Sequence, residues 1–221
     1  MHEVMTCPLC RHDQFQALQG YDRKVGPEIF EFIKSPYKLS QWALCRRCGF
    51  CFQNPRPSPD DVENIYSSGL YRAKREYGEY YFQTRYTRPF EHFRWLSQYA
   101  TWEAPPRILD IGAGYGGAVR AFQDLGARAE GIEIDAALCA AAPERFEVTL
   151  INGDFLTYQF EEGAYDVVYS AHTHEHFDDF VTVNKRIHSL LKPDGHLLLI
   201  LPTFRFFRFE TCSFTRVVTY K

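Results

Sequence analysis

The run from Asp110 to Gly117, which reads DIGAGYGG, constrains the fold of this 221-residue chain more than any other segment. It follows a short apolar stretch typical of a strand and precedes a helical pattern that starts at Gly116. Glycines at such a point allow a tight turn and let a ligand approach the backbone. The first turn of the helix offers free N–H groups. The segment therefore predicts a strand–loop–helix unit that binds a ligand.

Acidic residues downstream indicate which ligand this is. Glu133, 19 positions beyond Gly114, ends the next predicted strand, where a carboxylate can accept both hydroxyls of a ribose. The next glycine, Gly116, follows Gly114 after one residue, whereas a dinucleotide site prefers two. Asp154 and Phe155 follow the third predicted strand, and an acid and an aromatic ring there suit an adenine. The pattern favours a nucleoside cofactor.

Apolar periodicity beyond Arg107 predicts alternating strands and helices. The predicted strands are 107–111, 128–134, 148–151, 165–170 and 196–201, and the predicted helices are 116–125, 135–142 and 178–191. Strands that alternate with helices imply a parallel sheet with helices on both faces, an α/β fold. Prolines before residue 60 and at 105–106 divide the chain into three parts. These are an N-terminal module (1–59), a helical linker (60–106) and the α/β domain (107–221).

The N-terminal module carries two C-x-x-C motifs separated by 34 residues. Their cysteines are Cys7, Cys10, Cys45 and Cys48. Two such pairs supply four thiolates for tetrahedral zinc, and a site filled by four protein ligands is structural. The sequence thus predicts a small zinc-ribbon-like module whose metal takes no part in chemistry.

Composition limits the possible partners and location. No apolar run approaches the ~18–20 residues of a membrane span, and the first residues have no apolar leader. Cysteines without a leader favour a reducing compartment, so a cytoplasmic protein is expected. Residues 107–202 contain 15 acidic and 7 basic residues, a net charge of −8. Such a surface is poorly suited to a phosphate backbone, so neither nucleic acid nor membrane is the expected partner.

Five motifs in order, LDIGAGYGG, EGIEID, NGDF, YDVVYSAHTHEHF and LLKPDGHLLLILP, resemble those of class I S-adenosylmethionine-dependent methyltransferases. The resemblance implies a Rossmann-like sheet and transfer of a methyl group from S-adenosylmethionine. The family sheet ends in an antiparallel hairpin. Residues 203–221 are expected to form either a shortened version of this hairpin or a truncated or altered tail.

The same resemblance assigns roles to individual residues. It implies a cofactor site formed by Asp110, Gly112, Gly114, Gly116, Glu133, Ile134, Asp154, Phe155, Ser170 and His172. Glu175 and His176 match the end of the motif beside the methyl-donor pocket, where His176 either acts as a general base or braces the loop.

The segment from Cys45 to Ser58 resembles a bacterial subgroup in which a zinc-binding domain precedes the methyltransferase core. Several members of that subgroup resemble sugar or polysaccharide methyltransferases. The resemblance implies a small-molecule acceptor, a sugar or a nucleotide sugar. Two alternatives stay open: a zinc-ribbon RNA methyltransferase and a non-catalytic protein that binds S-adenosylmethionine.

Overall fold

The computed structural model describes residues 4–21, 40–58, 60–62, 64 and 78–201. The chain divides into two compact units. The first comprises Met1–Ile65 with Asp178–Thr182, and the second comprises Tyr66–Phe177 with Val183–Lys221. The hairpin expected after Pro202 lies outside the described residues.

The first unit contains a three-stranded antiparallel sheet in the order β1-β2-β3. The strands are β1 (Phe15–Tyr21), β2 (Ser40–Cys45) and β3 (Cys51–Gln53). Among the described residues of this unit, the buried core is small and consists of Cys7, Ala43, Cys45 and Phe52.

The second unit is built on a five-stranded parallel sheet, which confirms the α/β prediction. Its strands are β4 (Arg107–Ile111), β5 (Arg128–Glu133), β6 (Ile151–Asn152), β7 (Tyr165–Ala171) and β8 (Leu191–Ile200). The helices whose bounds fall within the described residues are α1 (Glu79–Leu96), α2 (Gly117–Asp124), α3 (Ala136–Phe146) and α4 (Phe180–Leu190), with a 3₁₀ turn at His174–His176. Among the described residues, no helix is long and apolar enough to cross a bilayer.

The strand order is β6-β5-β4-β7-β8, so β4 is central and the chain order reverses beside it. In open α/β sheets, ligands bind outside the carboxyl ends of the strands at such a reversal. Asp110 of β4 is in register with Tyr169 of β7. The residues predicted to bind the cofactor lie at the carboxyl ends of the strands or in the loops that follow them, where a ligand is expected.

Both faces of the sheet are buried, because its residues alternate between two apolar clusters. Leu109 and Val168 pack on one face with Ile187 of α4. Ile108 and Tyr169 belong to the cluster on the other face, which includes residues of α1 and α2. This double coverage explains why the strands read as nearly continuous apolar runs.

Several predicted boundaries were wrong. Strand β6 is only Ile151–Asn152, because Val148 and Leu150 are buried in a separate small cluster with residues of α2 and α3. Strand β8 starts at Leu191 rather than residue 196, since a register irregularity in its pairing with β7 accommodates the polar segment 192–195. Helix α3 continues four residues beyond 142 despite the internal Pro143.

Candidate active site and cysteine cluster

The glycine loop after β4 depends on backbone conformations that favour glycine. Gly112, Gly114 and Gly116 have φ values of 72°, 58° and 86°. The N–H of Gly112 donates to the carbonyl of Ile132 at 2.9 Å, which ties the loop to β5. A Cβ atom on Gly112 would overlap the Thr173 side chain, lying 2.9 Å from its Cβ. The loop after β7 therefore lies directly over the glycine loop.

Glu133 occupies the end of β5 and is 9% exposed. One carboxylate oxygen accepts from the N–H of Gly114 at 2.9 Å, and the other accepts from the N–H of Asp135 at 2.9 Å. A carboxylate oxygen can accept about two hydrogen bonds, so each retains capacity for a ligand hydroxyl. Burial raises the pKa of Glu133. The backbone thus orients this carboxylate before any ligand arrives.

Asp110 is buried on β4, the strand that leads into the glycine loop. Desolvation, together with the charge of Glu133, raises the pKa of Asp110 to about 7, while the nearby Arg85 acts in the opposite direction. A cationic ligand group beside this carboxyl would favour its ionised form.

Ser170 lies near the end of β7 and is fully buried. Its hydroxyl oxygen has no hydrogen-bond partner among the residues that the structure describes. Buried polar atoms are normally hydrogen-bonded, so a ligand group or a water fits here. His172 follows with φ 58°, and its Nδ1 lies 3.9 Å from Oε1 of Glu175.

Both predicted catalytic residues, Glu175 and His176, lie in the 3₁₀ turn, but they differ in solvent exposure. Glu175 is half-buried, and its Oε2 accepts no hydrogen bond from the described part of the chain. Burial raises the pKa of Glu175, an effect that Arg85 partly offsets. His176 is exposed, and its backbone N–H donates to the carbonyl of Thr173 at 2.9 Å. Glu175 is therefore the less solvated of the two candidates.

The predicted adenine contacts occupy different environments. Asp154 is half-buried, and its Oδ1 accepts from the N–H of Leu156 at 2.9 Å. Phe155 is only 4% exposed, and the guanidinium of Arg186 lies 5.4 Å from its ring centroid. Ile134 is half-buried. Phe155 contributes to the core, and its contact with adenine stays a prediction.

Helix α1 brings to β7 and α2 a group of residues that the sequence did not indicate. Nδ1 of His92 lies 2.9 Å from the hydroxyl of Tyr169. A Cβ on Gly117, the first residue of α2, would lie 3.0–3.1 Å from backbone atoms and Cβ of Arg85. The helical spacing of Arg85, Arg88 and His92 is visible in the sequence, but nothing there relates it to β7.

The four predicted zinc ligands come together in the first unit. The Sγ atoms of Cys7, Cys10, Cys45 and Cys48 all lie within 4.8 Å of one another. The Cys7–Cys48 and Cys10–Cys45 sulfur distances are 3.7 and 3.5 Å. Tetrahedral coordination with Zn–S bonds of about 2.3 Å places sulfurs roughly 3.8 Å apart, so the donor set fits zinc.

The two C-x-x-C loops have matching backbone geometry. The N–H of Arg11 donates to the carbonyl of Cys7 at 2.9 Å, and the N–H of Gly49 donates to that of Cys45 at 3.0 Å. Both donors have positive φ, 60° and 71°. Each loop therefore turns in the same way, and the two turns hold four sulfurs as two equivalent pairs.

Comparison with known proteins identifies the second unit further. Residues 109–199 match the family described as "Methyltransferase domain". The chain is 30% identical over 118 residues to phosphoethanolamine N-methyltransferase 2 of Caenorhabditis elegans, covering 50% of this chain and 27% of the relative. It is 31% identical over 97 residues to sterol 24-C-methyltransferase erg6 of Aspergillus fumigatus, covering 40% and 26%. The chain thus spans about a quarter of the curated relatives' length.

A solved structure is also similar. The glycopeptide N-methyltransferase MtfA in complex with S-adenosyl-L-methionine matches with a TM-score of 0.43 and 20% sequence identity. The match covers 52% of this chain and 55% of that protein.

Proposed function

Because residues 109–199 form a methyltransferase domain of the class I type, we propose that this protein transfers a methyl group from S-adenosylmethionine to a small-molecule acceptor. The observation that carries the proposal is the buried Glu133 carboxylate, which the N–H groups of Gly114 and Asp135 orient beside the glycine loop. This arrangement suits a ribose, whose adjacent hydroxyls require an acceptor fixed in place.

S-adenosylmethionine, when bound, supplies an electrophilic methyl group on a sulfonium. On this proposal Gly112, Gly114 and Gly116 allow the methionine part to approach the backbone, while Asp110 supplies a negative charge near it. Glu133 accepts the ribose hydroxyls. Ile134, Asp154 and Phe155 contact the adenine side. Ser170 and His172 line the methyl-donor pocket, where the Ser170 hydroxyl gains the partner it lacks among the described residues.

The acceptor's nucleophile loses a proton if it is a hydroxyl or an activated C–H, and Glu175 and His176 are proposed for that step. Glu175 is half-buried with a raised pKa, and a base near the operating pH transfers protons efficiently. His176 is more exposed and suits a contact with the acceptor or a proton exit to water. Much of the rate then comes from holding two reactants in line.

For the acceptor we propose a sugar or nucleotide sugar, on the strength of the motif from Cys45 to Ser58. The names of the curated relatives specify phosphoethanolamine and a sterol. Because these acceptors differ, the relatives favour methyl transfer without favouring one acceptor. The acidic domain argues against RNA, which agrees with a small molecule.

The cysteine cluster is proposed to hold one structural zinc ion. Four thiolates with sulfur separations near the tetrahedral value leave no open coordination position. Free thiolates persist in a reducing compartment, which is consistent with the cytoplasm. On this proposal the metal stabilises the first unit and does not touch the reactants.

Calorimetry and a transfer assay test the proposal together. S-adenosylmethionine is expected to bind, and Glu133→Ala to weaken binding by about 1–3 kcal/mol because a buried hydrogen-bonding partner is lost. The matched control is Glu162→Ala, which removes an exposed carboxylate. A labelled-methyl screen then compares nucleotide sugars, free sugars, phosphoethanolamine and RNA.

The outcomes separate the alternatives. Turnover on nucleotide sugars supports the proposal, whereas turnover only on RNA identifies an RNA methyltransferase. Cofactor binding without turnover on any acceptor identifies a non-catalytic binding protein. Equal affinity of Glu133→Ala and the control overturns the assignment of Glu133 to the ribose.

A further inference from the structure

Helix α1 presents three basic side chains on one face. Arg85, Arg88 and His92 are spaced at i, i+3 and i+7, positions that coincide on a helix with 3.6 residues per turn. Arg94 is nine positions beyond Arg85, which places it about half a turn away on the opposite side. We refer to Arg85, Arg88 and His92 as the basic face of α1.

This basic face contacts β7, the strand that carries the proposed methyl-donor pocket, and the start of α2. The backbone of Arg85 packs against Gly117, directly after the glycine loop. His92 is 2.9 Å from the Tyr169 hydroxyl, and Tyr169 is adjacent in sequence to Ser170. Both ends of the face are therefore fixed by contacts to β7 and to the start of α2.

The positive charge of the basic face comes from its two arginines. Neither Arg85 nor Arg88 has a carboxylate oxygen within 4.0 Å among the residues whose side chains the structure describes. The Arg85 guanidinium lies 5.1 Å from the Tyr81 ring centroid, a cation–π contact that orients the side chain without neutralising it. Five donors per guanidinium stay available to a ligand.

The histidines beside these arginines are uncharged at neutral pH. Burial lowers the pKa of His92 to about 4, with contributions from Arg88 and His172. Burial also lowers the pKa of His172, with Arg85 and Arg88 adding to the effect. The two imidazoles can thus donate or accept a hydrogen bond without adding charge. The effect on His172 also indicates that the positive charges of Arg85 and Arg88 act on the turn after β7.

We propose that the basic face of α1 binds an oxyanion of the acceptor, a phosphate or a carboxylate, and so positions the acceptor beside the methyl donor. This inference rests on the proposed methyltransferase function and adds the charge class of the acceptor. Guanidinium groups bind such oxyanions through paired, charge-assisted hydrogen bonds. Within the described part of the chain, an uncharged acceptor would leave Arg88 neutralised only by solvent, and Arg85 only by the charges of Asp110 and Glu175.

One competing source of an oxyanion is the methionine carboxylate of the cofactor. Arg85 is the closer candidate for it, since its backbone contacts the start of α2. Arg88 is one turn further along the helix, beside His92. The test therefore saturates the cofactor site first, so that its carboxylate is already in place.

The experiment measures binding of inorganic phosphate, and separately of acetate, by calorimetry to the full chain saturated with S-adenosylhomocysteine. Phosphate is expected to bind if both guanidinium groups contact the anion, and acetate if one guanidinium group is enough.

Arg88→Gln and Arg85→Gln are each expected to weaken anion binding about tenfold or more, because a charged hydrogen-bonding partner is lost. Arg94→Gln, an exposed arginine on the opposite side of α1, is the matched control and is expected to leave binding unchanged. Histidine ring resonances followed by NMR are expected to shift for His92 and His172 on anion addition.

Three results would overturn the inference. One is binding of neither anion, and another is an equal loss in Arg88→Gln and Arg94→Gln. The third is anion binding to the free chain that disappears once S-adenosylhomocysteine is bound, which assigns the face to the cofactor's carboxylate. Failure of S-adenosylhomocysteine itself to bind is a separate outcome that overturns the proposed function first. Because Arg88 is exposed, its variant is expected to fold and keep cofactor affinity.

Discussion

The cysteine cluster and the glycine loop are both encoded by short spaced motifs, yet they are stabilised differently. In the described part of the first unit the buried core is four residues, and two of them, Cys7 and Cys45, are proposed metal ligands. The glycine loop belongs instead to a sheet with an extensive apolar core on both faces. Its key carboxylate, Glu133, is oriented by backbone N–H groups of the chain itself.

A motif can therefore specify a site without supplying the energy that holds it. A small module with few buried residues generally needs a metal or a disulfide to fold. A two-sided parallel sheet does not. We therefore expect the first unit to depend on its metal and the cofactor loop to be preformed.

Removing the metal should have the largest effect. Binding of structural zinc contributes roughly 10–16 kcal/mol of apparent free energy in small modules, so chelation is expected to unfold the first unit. Metal analysis of the untreated protein should find one zinc per chain. The measurement is circular dichroism and tryptophan fluorescence before and after chelation, since Trp42 lies on β2.

The affinity for S-adenosylmethionine after chelation tests whether the glycine loop depends on the metal. If the glycine loop is held by its own sheet, S-adenosylmethionine affinity should survive the loss of zinc. Cys51→Ser is the control, because Cys51 is outside the four-sulfur cluster. This variant is expected to keep both its zinc and its affinity for S-adenosylmethionine. Recovery of no zinc from the untreated protein would contradict the metal assignment.

Substitutions at the 3₁₀ turn should have the next largest effect, on turnover rather than on folding. Glu175→Gln removes the charge of a half-buried carboxyl and should lower kcat by about 100-fold if Glu175 is the base. His176→Ala should slow turnover less, since His176 is exposed. Steady-state kinetics and calorimetry check this, because both variants should keep the cofactor affinity. Equal kcat in Glu175→Gln and the unmodified protein would discard the base assignment.

Adding a Cβ at Gly112 should have a smaller effect than the substitutions at the 3₁₀ turn, and this effect should fall on cofactor affinity. Gly112→Ala combines a φ of 72° with overlap of Thr173, a cost of about 1–3 kcal/mol that should weaken S-adenosylmethionine binding correspondingly. Gly126→Ala is the matched control. It has a φ of 84°, but a Cβ added there would have no atom within 4 Å. Both variants should lose stability on thermal unfolding, and only Gly112→Ala should lose affinity.

The sequence predicted those parts of the molecule that depend on local pattern. Apolar runs bounded by glycine, such as the segment before Gly112, predicted the sheet strands because these are buried on both faces. Paired cysteines predicted the cluster because four thiolates have few other uses in one module. Phe155 was singled out by its position in the motif, and its ring is 4% exposed in the core. Its contact with adenine stays a prediction.

The residues that the sequence did not predict are those assembled by tertiary packing. His92 precedes β7 by more than 70 positions, and its contact with Tyr169 depends on how α1 packs against the sheet. The short β6 has the same origin, because Val148 and Leu150 are apolar enough for a strand but pack into a helical cluster instead. Local propensity cannot distinguish these outcomes.

Asp110 offers the smallest and most diagnostic test of the preformed site. Its pKa of about 7 lies above the ordinary value of 3.8 because of desolvation and the charge of Glu133. The folded state therefore keeps this proton between pH 4 and pH 7 where the unfolded chain loses it. The contribution of Asp110 to stability is accordingly complete below pH 4 and is lost as pH rises through 7.

Affinity for S-adenosylmethionine should change in the opposite direction, because the ionised carboxylate attracts the cationic cofactor. Between pH 8 and pH 6 the dissociation constant should rise about tenfold as Asp110 becomes protonated. Asp110→Asn should flatten both profiles, and calorimetry and thermal unfolding across this range measure them. A variant that retains the full pH dependence of affinity would place the titrating group elsewhere, with Glu133 the next carboxyl to replace. If stability falls and cofactor affinity rises with increasing pH, and Asp110→Asn removes both trends, the Asp110 carboxylate both binds the cation and destabilises the free protein. The rest of the sheet then offsets that loss of stability.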